Sequence, residues 1–272
     1  MADLILKPGE IKKIYARTHK YGNVKIPIGA ELIVAPKSTN WLILLISGDC
    51  DISGTLKYEK MRNKGSEIQY TAPDGRVLTH FPELGKGGRG GDGVDFRGLS
   101  GGAGAIGDIL YGGGGGEGAY KTKFDGPNNG EPGNEWQGGG NPNGSGSGGK
   151  GAKLTGADIH GGAIYLSIEG TLSNNSENGT ISLKGSDGTS GTQGRPGRSY
   201  TDYAYRVCGG GGGGGAPGGV GGKCVIKCSD ILAEPIFEFE GGIRGNGSSG
   251  GGLGGSEGYN GEDGVTGSVD FM

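Results

Sequence analysis

Apolar and polar residues alternate along the first third of the chain with the two-residue period of half-buried strands. That period predicts strands at Leu4–Leu6, Glu10–Arg17, Glu31–Val34, Trp41–Ser47, Gly54–Glu59 and Ser66–Tyr70. Pro8-Gly9, Tyr21-Gly22-Asn23, Pro27-Ile28-Gly29, Ser47-Gly48-Asp49 and Pro73-Asp74-Gly75 punctuate them as turns. The run Trp41–Ile46 is apolar at every position, which predicts a strand covered on both faces by other sheets or by partner chains. At a free edge it would invite aggregation. Residues 1–84 are expected to form a small β domain serving attachment or assembly.

Beyond residue 84 the pattern changes to glycine. Gly185, Gly188, Gly191, Gly194 and Gly197 recur at every third position, as do Gly252, Gly255, Gly258, Gly261, Gly264 and Gly267, and Gly85, Gly88 and Gly91 begin the same pattern. A period of three belongs to an extended left-handed helix with three residues per turn, rising about 3.1 Å per residue and lacking internal hydrogen bonds. Neighbours must then satisfy its backbone, and a run such as Gly209–Gly215 would be surrounded by other segments. The expected fold class is all-β plus polyglycine II: a small N-terminal β domain (1–84), then a sandwich of glycine-rich three-residue-per-turn helices flanked by short strands (85–272). The flanking strands are Ala163–Ile168 with Gly170–Leu172 and Gly179–Lys184, and Cys224–Cys228 with Pro235–Glu240. The two sets look like an internal duplication, echoed weakly by Gly48–Leu56.

Composition narrows the reading. Glycine is 69 of 272 residues and hydrophobic residues are 32%, so an ordinary apolar core cannot extend through the whole chain. Collagen is disfavoured by short triplet runs and only 11 prolines, and the flexible-linker reading is weakened by inserts such as Ile106–Tyr111. A net charge of −3 without a basic stripe points away from nucleic acid. The longest apolar run is far short of a membrane span, and no signal-peptide pattern opens the chain, so no membrane insertion is expected.

Little in the sequence offers chemistry. Cys208, Cys224 and Cys228, with His160 or Cys50 as a fourth ligand, invite a zinc reading, but no second matched pair is present. Buried free thiols, or a bridge from Cys208, are the alternatives. His19, His80 and His160 stand apart, and no nucleophile elbow, H-E-x-x-H or phosphate-loop motif occurs. No enzyme activity, metal or cofactor is expected.

Gly101-Gly102-Ala103-Gly104, Gly112–Gly116, Gly138–Gly140, Gly209–Gly215 and Gly250–Gly255 carry a resemblance over about two thirds of the chain. Their organisation resembles the glycine-rich receptor-binding tip adhesin of the long tail fibres of T-even-like bacteriophages. The resemblance implies a virion protein at the tail fibre tip. Residues 1–84 would dock on a fibre or other virion protein. Loops between glycine-rich helices would bind a host cell-surface protein or glycan. The alternative is a non-adhesive virion structural, cap or decoration protein.

The inserts between the glycine clusters supply the candidate contact residues. They are Tyr120, Lys121, Phe124, Asn129 and Trp136 in one insert, Arg198, Tyr200, Tyr203 and Tyr205 in a second, and Tyr259 in a third. Tyr and Trp provide broad amphipathic surfaces at small entropic cost. Tyr203 and Tyr205 also alternate with Val207 as a packed strand would.

Overall fold

The fold was read from a computed structural model that describes residues 1–36, 41–59, 68–72, 75–80, 86–93, 103–107, 120–122, 126–128, 150–151, 161–194, 210–252 and 255–272. The chain winds as a coil of parallel strands. Its first turn supplies β1 (Leu4–Ile5) and β2 (Ile11–Tyr15), and its second β3 (Thr18–Tyr21), β4 (Val24–Ile26) and β5 (Glu31–Ala35). The third supplies β6 (Trp41–Ile46), β7 (Cys50–Ile52) and β8 (Thr55–Tyr58). Two antiparallel pairs follow: β9 (Ile68–Thr71) with β10 (Val77–His80), and β11 (Tyr120–Thr122) with β12 (Gly126–Asn128). The coil then resumes with β13 (Ala163–Ser173) and β14 (Thr180–Ser182), β15 (Lys223–Ile231) and β16 (Ile236–Glu238), and β17 (Ser268–Phe271).

Each turn lays its strands on those of the turn before. β2, β5, β8, β14 and β16 form one parallel sheet. The other sheet has eight strands and bends over a corner. Up to Ile168, β13 pairs with β6 and β15; beyond a register shift at Ile168/Thr171, it pairs with β7 and the end of β15. Three columns of strands therefore surround one interior.

The columns keep their register because the corners are bonded. Asp3, Asn23 and Asp49 stand one above another before β1, β4 and β7. The Asp3 carboxylate accepts from the Asn23 N–H (2.8 Å), the Asn23 Oδ1 from the Asp49 N–H (3.0 Å), and the Asp49 carboxylate from the Thr171 N–H (2.9 Å). Each side chain satisfies a backbone donor that the bend removes from the sheet ladder. At another corner, Lys7-Pro8-Gly9-Glu10 and Pro27-Ile28-Gly29-Ala30 close with bonds from the fourth N–H to the first carbonyl. Gly9 and Gly29 both have φ of 77°, the left-handed value required at the third position of a type II turn.

The interior is apolar. Leu32, Leu42, Leu44, Leu56, Ile164, Leu166, Ile181 and Ile226 are among its fully buried residues. β6 lies between β3 and β13, and five of its six residues are buried. Its outer face is covered as well: Tyr70 of β9 lies with its ring 6.3 Å from that of Trp41 and 6.0 Å from that of Tyr165. This accounts for the uninterrupted apolar run in the sequence.

The expected fold class, all-β plus polyglycine II, is corrected in two respects. No helix occurs among the described residues, so the glycine-rich part is not a sandwich of three-residue-per-turn helices. The strands read as flanks of such helices instead continue the same parallel sheets as β4–β8. The physical reason is that these short strands pair in parallel with strands of earlier turns.

Replacing Asn23 by Ala removes both an acceptor and a donor from the corner ladder. Urea unfolding is expected to show a loss of about 1 kcal/mol, with the native β-sheet circular dichroism retained before the transition.

Candidate functional site

Glycine-rich segments leave the coil after β14 and β16 and return to it before β15 and β17. They run 185–194 out and 210–222 back, then 241–251 out and 255–267 back. Segment 86–92 joins the same layer. Segment 210–222 is buried throughout. A buried stretch with almost no side chains must bond its backbone to neighbours, and it does so in phases of three. The N–H groups of Gly212, Gly215, Gly218 and Gly221 donate to Ser256, Tyr259, Glu262 and Val265. Those of Gly213, Ala216, Gly219 and Gly222 donate to Thr192, Thr189, Ser186 and Leu183. Pro217, which has no N–H, falls in the phase that serves neither ladder. The carbonyls of Gly210, Gly213, Ala216 and Gly219 accept from 242–251, and those of Gly212 and Gly215 from Gly91 and Gly88.

The spacing leaves no room for side chains. A Cβ on Gly214 would fall on the carbonyl oxygen of Gly88, and one on Gly245 on that of Thr189. At the layer's margins, polar side chains take the place of missing carbonyls. Asp187 accepts from the Ile243 N–H, Asp263 from Arg244, Glu262 from Lys86 and Asn260 from Gly247, all at 2.8–2.9 Å. The Asp92 carboxylate accepts from the Gly104 N–H and pairs with Arg89 at 2.6 Å. The carboxylates of Asp92, Asp187, Glu262 and Asp263 are thus engaged in holding backbone.

The candidate contact residues are not assembled into one surface. Phe124, Asn129, Trp136, Arg198, Tyr200, Tyr203 and Tyr205 lie outside the described residues. Tyr120 and Lys121 sit on β11, opposite Asn128 and Pro127. Tyr259 is 62% exposed, while its N–H and carbonyl bond to Arg89 and Gly215 inside the layer. The side chains that sequence reasoning missed are the corner residues Asp3, Asn23 and Asp49. Their signal was present in the matched Gly22-Asn23-Val24 and Gly48-Asp49-Cys50, each opening a strand.

Cys208 and His160 of the zinc reading lie outside the described residues, among which no group of three or more His, Cys, Asp or Glu converges as metal ligands. Cys50, Cys224 and Cys228 are free thiols. Burial, with smaller contributions from Asp51 and Cys228, pushes the Cys50 thiol up to about 12. Burial, aided by Asp270, raises Cys224 further. Cys228, only half buried, is raised by the same burial effect and by Asp230. Cys50 and Cys224, buried and raised, are poor nucleophiles, whereas Cys228 is open to reagents in solution.

The fold defines a class: a parallel β coil carrying a layer of cross-bonded glycine segments. No family model, curated protein or solved structure matches the chain. The expected function, a bacteriophage receptor-binding adhesin recognising its host through loops between glycine-rich helices, is corrected. No such helices exist among the described residues to carry those loops, and the fold is all β with parallel sheets.

Two outcomes check this geometry. Gly214→Ala is expected to destabilise by about 3 kcal/mol, because the Gly88–Arg89 backbone that its methyl would meet cannot yield, whereas the exposed Ser249→Ala should stay within about 0.5 kcal/mol; urea titration of both variants measures this. Iodoacetamide at pH 8 should alkylate Cys228 in the folded protein and leave Cys50 and Cys224 unmodified until urea is added, as read by peptide mass mapping.

Proposed function

We propose that this chain is a non-enzymatic structural module whose task is rigidity. The observation carrying that reading is segment 210–222, buried along its whole length and bonded to its neighbours through successive backbone groups. An interior whose only side chains are those of Ala216, Pro217 and Val220 offers no polar group to a substrate beyond its bonded backbone. What it supplies is a dense set of short, directional bonds between segments that cannot move independently. The β coil gives this layer a fixed base, because each outgoing and returning segment is anchored to a strand of the apolar core. The engagement of Asp92, Asp187, Glu262 and Asp263 in backbone capping supports the same reading.

Hydrogen exchange followed by mass spectrometry tests it. Peptides spanning 210–222 are expected to exchange only through global unfolding, at a rate that tracks overall stability across urea concentrations. Single-molecule pulling should show the glycine layer and coil yielding in cooperative steps, at lower force in Gly214→Ala. Exchange of 210–222 within seconds at neutral pH, together with featureless extension under load, would overturn the proposal.

A further inference from the structure

We infer that this protein associates head to tail with further copies of itself, the last turn of one coil receiving the first turn of the next. Among the described residues, β1, β2 and β3 each have a single strand neighbour, as do β16 and β17. The two ends of the coil are therefore both sheet edges, and edges of this kind pair with another chain unless something blocks them. A second copy fits in three independent respects.

The first is register. His19, Leu44, Leu166, Ile226 and Phe271 occupy one row across β3, β6, β13, β15 and β17. Setting β3 of the next copy on β17 continues that row in the same parallel sense. On that row Asp270 and Phe271 of one copy meet Thr18 and His19 of the next. β17 stands on the first column alone, one turn beyond β15, whereas the opening turn has β1 and β2 on the other two columns. Joined, they make one complete turn.

The second is the chemistry of the two caps. At the opening end His19 and Tyr21 stack with ring centroids 6.0 Å apart and planes within 7° of parallel, half exposed. At the other end the Phe237 and Phe271 rings meet edge to face at 5.9 Å, with Phe271 42% exposed. Each cap leaves aromatic surface in water that the other would cover.

The third is charge. Residues 1–21 carry Lys7, Lys12, Lys13, Arg17 and Lys20 against Asp3 and Glu10, whereas residues 227–240 carry Asp230, Glu234, Glu238 and Glu240 against Lys227. Lys13 is already paired with Glu59, and Glu238 and Glu240 with Lys184. Lys12, Arg17 and Lys20 on one side, and Asp230 and Glu234 on the other, are all exposed. Opposed ends of opposite sign favour a heterologous, repeating contact over a two-fold one, in which like ends would meet.

Sedimentation velocity of the full chain tests this independently of its mechanical role. The weight-average sedimentation coefficient is expected to rise with protein concentration, and the association to weaken several-fold as salt increases. Lys12→Glu/Lys20→Glu and Asp230→Lys/Glu234→Lys should each remain folded by circular dichroism and each associate several-fold more weakly. Mixed together, they should associate again, because the native ends of the two variants are opposite in sign and so are their reversed ends. A single monomer boundary at all concentrations would overturn the inference. So would association that survives either charge reversal, or a mixture that behaves as the separate variants do.

Discussion

Everything in this molecule depends on backbone hydrogen bonds being satisfied where side chains are absent. Glycine gives up more conformational freedom on folding than any other residue, about 0.5–1 kcal/mol more than Ala where the chain must be held extended or helical. A buried N–H or carbonyl without a partner would cost more still. Segment 210–222 meets both demands through proximity: with no Cβ in the way, neighbouring backbones come close enough to bond in successive phases. The same absence of side chains makes the arrangement intolerant, since one methyl group at Gly214 would have only backbone to push against.

A glycine layer contributes little apolar burial, so it needs an external source of stability. The β coil provides it. Leu44, Leu166 and Ile226 stack in adjoining strands, burying apolar surface at roughly 25 cal/mol per Å², and segments 185–194, 210–222, 241–251 and 255–267 each begin or end close to a strand of that coil. The corner residues then fix the register. Asp3, Asn23 and Asp49 tie each turn to the next, so the points at which the glycine segments leave and return are set before the segments meet.

Much of the coil was legible in the sequence. The alternating runs located most strands of the first 58 residues, and the duplicated strand pattern located β13–β16. What alternation cannot show is pairing partner. β6 and β13 are separated by more than a hundred residues, and nothing in either strand distinguishes a parallel neighbour from an antiparallel one. The short strands between glycine runs were therefore read as supports of a second layer rather than as further turns of the first. The period of three was visible too, but a period reports which residues share an environment, not whether they form a helix. The matched Gly-Asn-Val and Gly-Asp-Cys steps were the missed clue, because a polar residue repeated at the mouth of successive strands signals stacked corners.

The distribution of polar groups follows from the same constraint. Wherever a glycine segment lacks a neighbour on one side, a side chain from an adjacent segment supplies the acceptor: Asp187 for Ile243, Asn260 for Gly247, Ser190 for Asn246. The side-chain oxygens of these residues are occupied by backbone N–H groups. A carboxylate held at 2.8 Å by an amide that has no other partner cannot turn to a ligand without exposing that amide. In a module of this composition, polar side chains on glycine segments are part of the scaffold. Among the described residues, the edges of the two parallel sheets with no further strand to meet lie at the two ends of the coil.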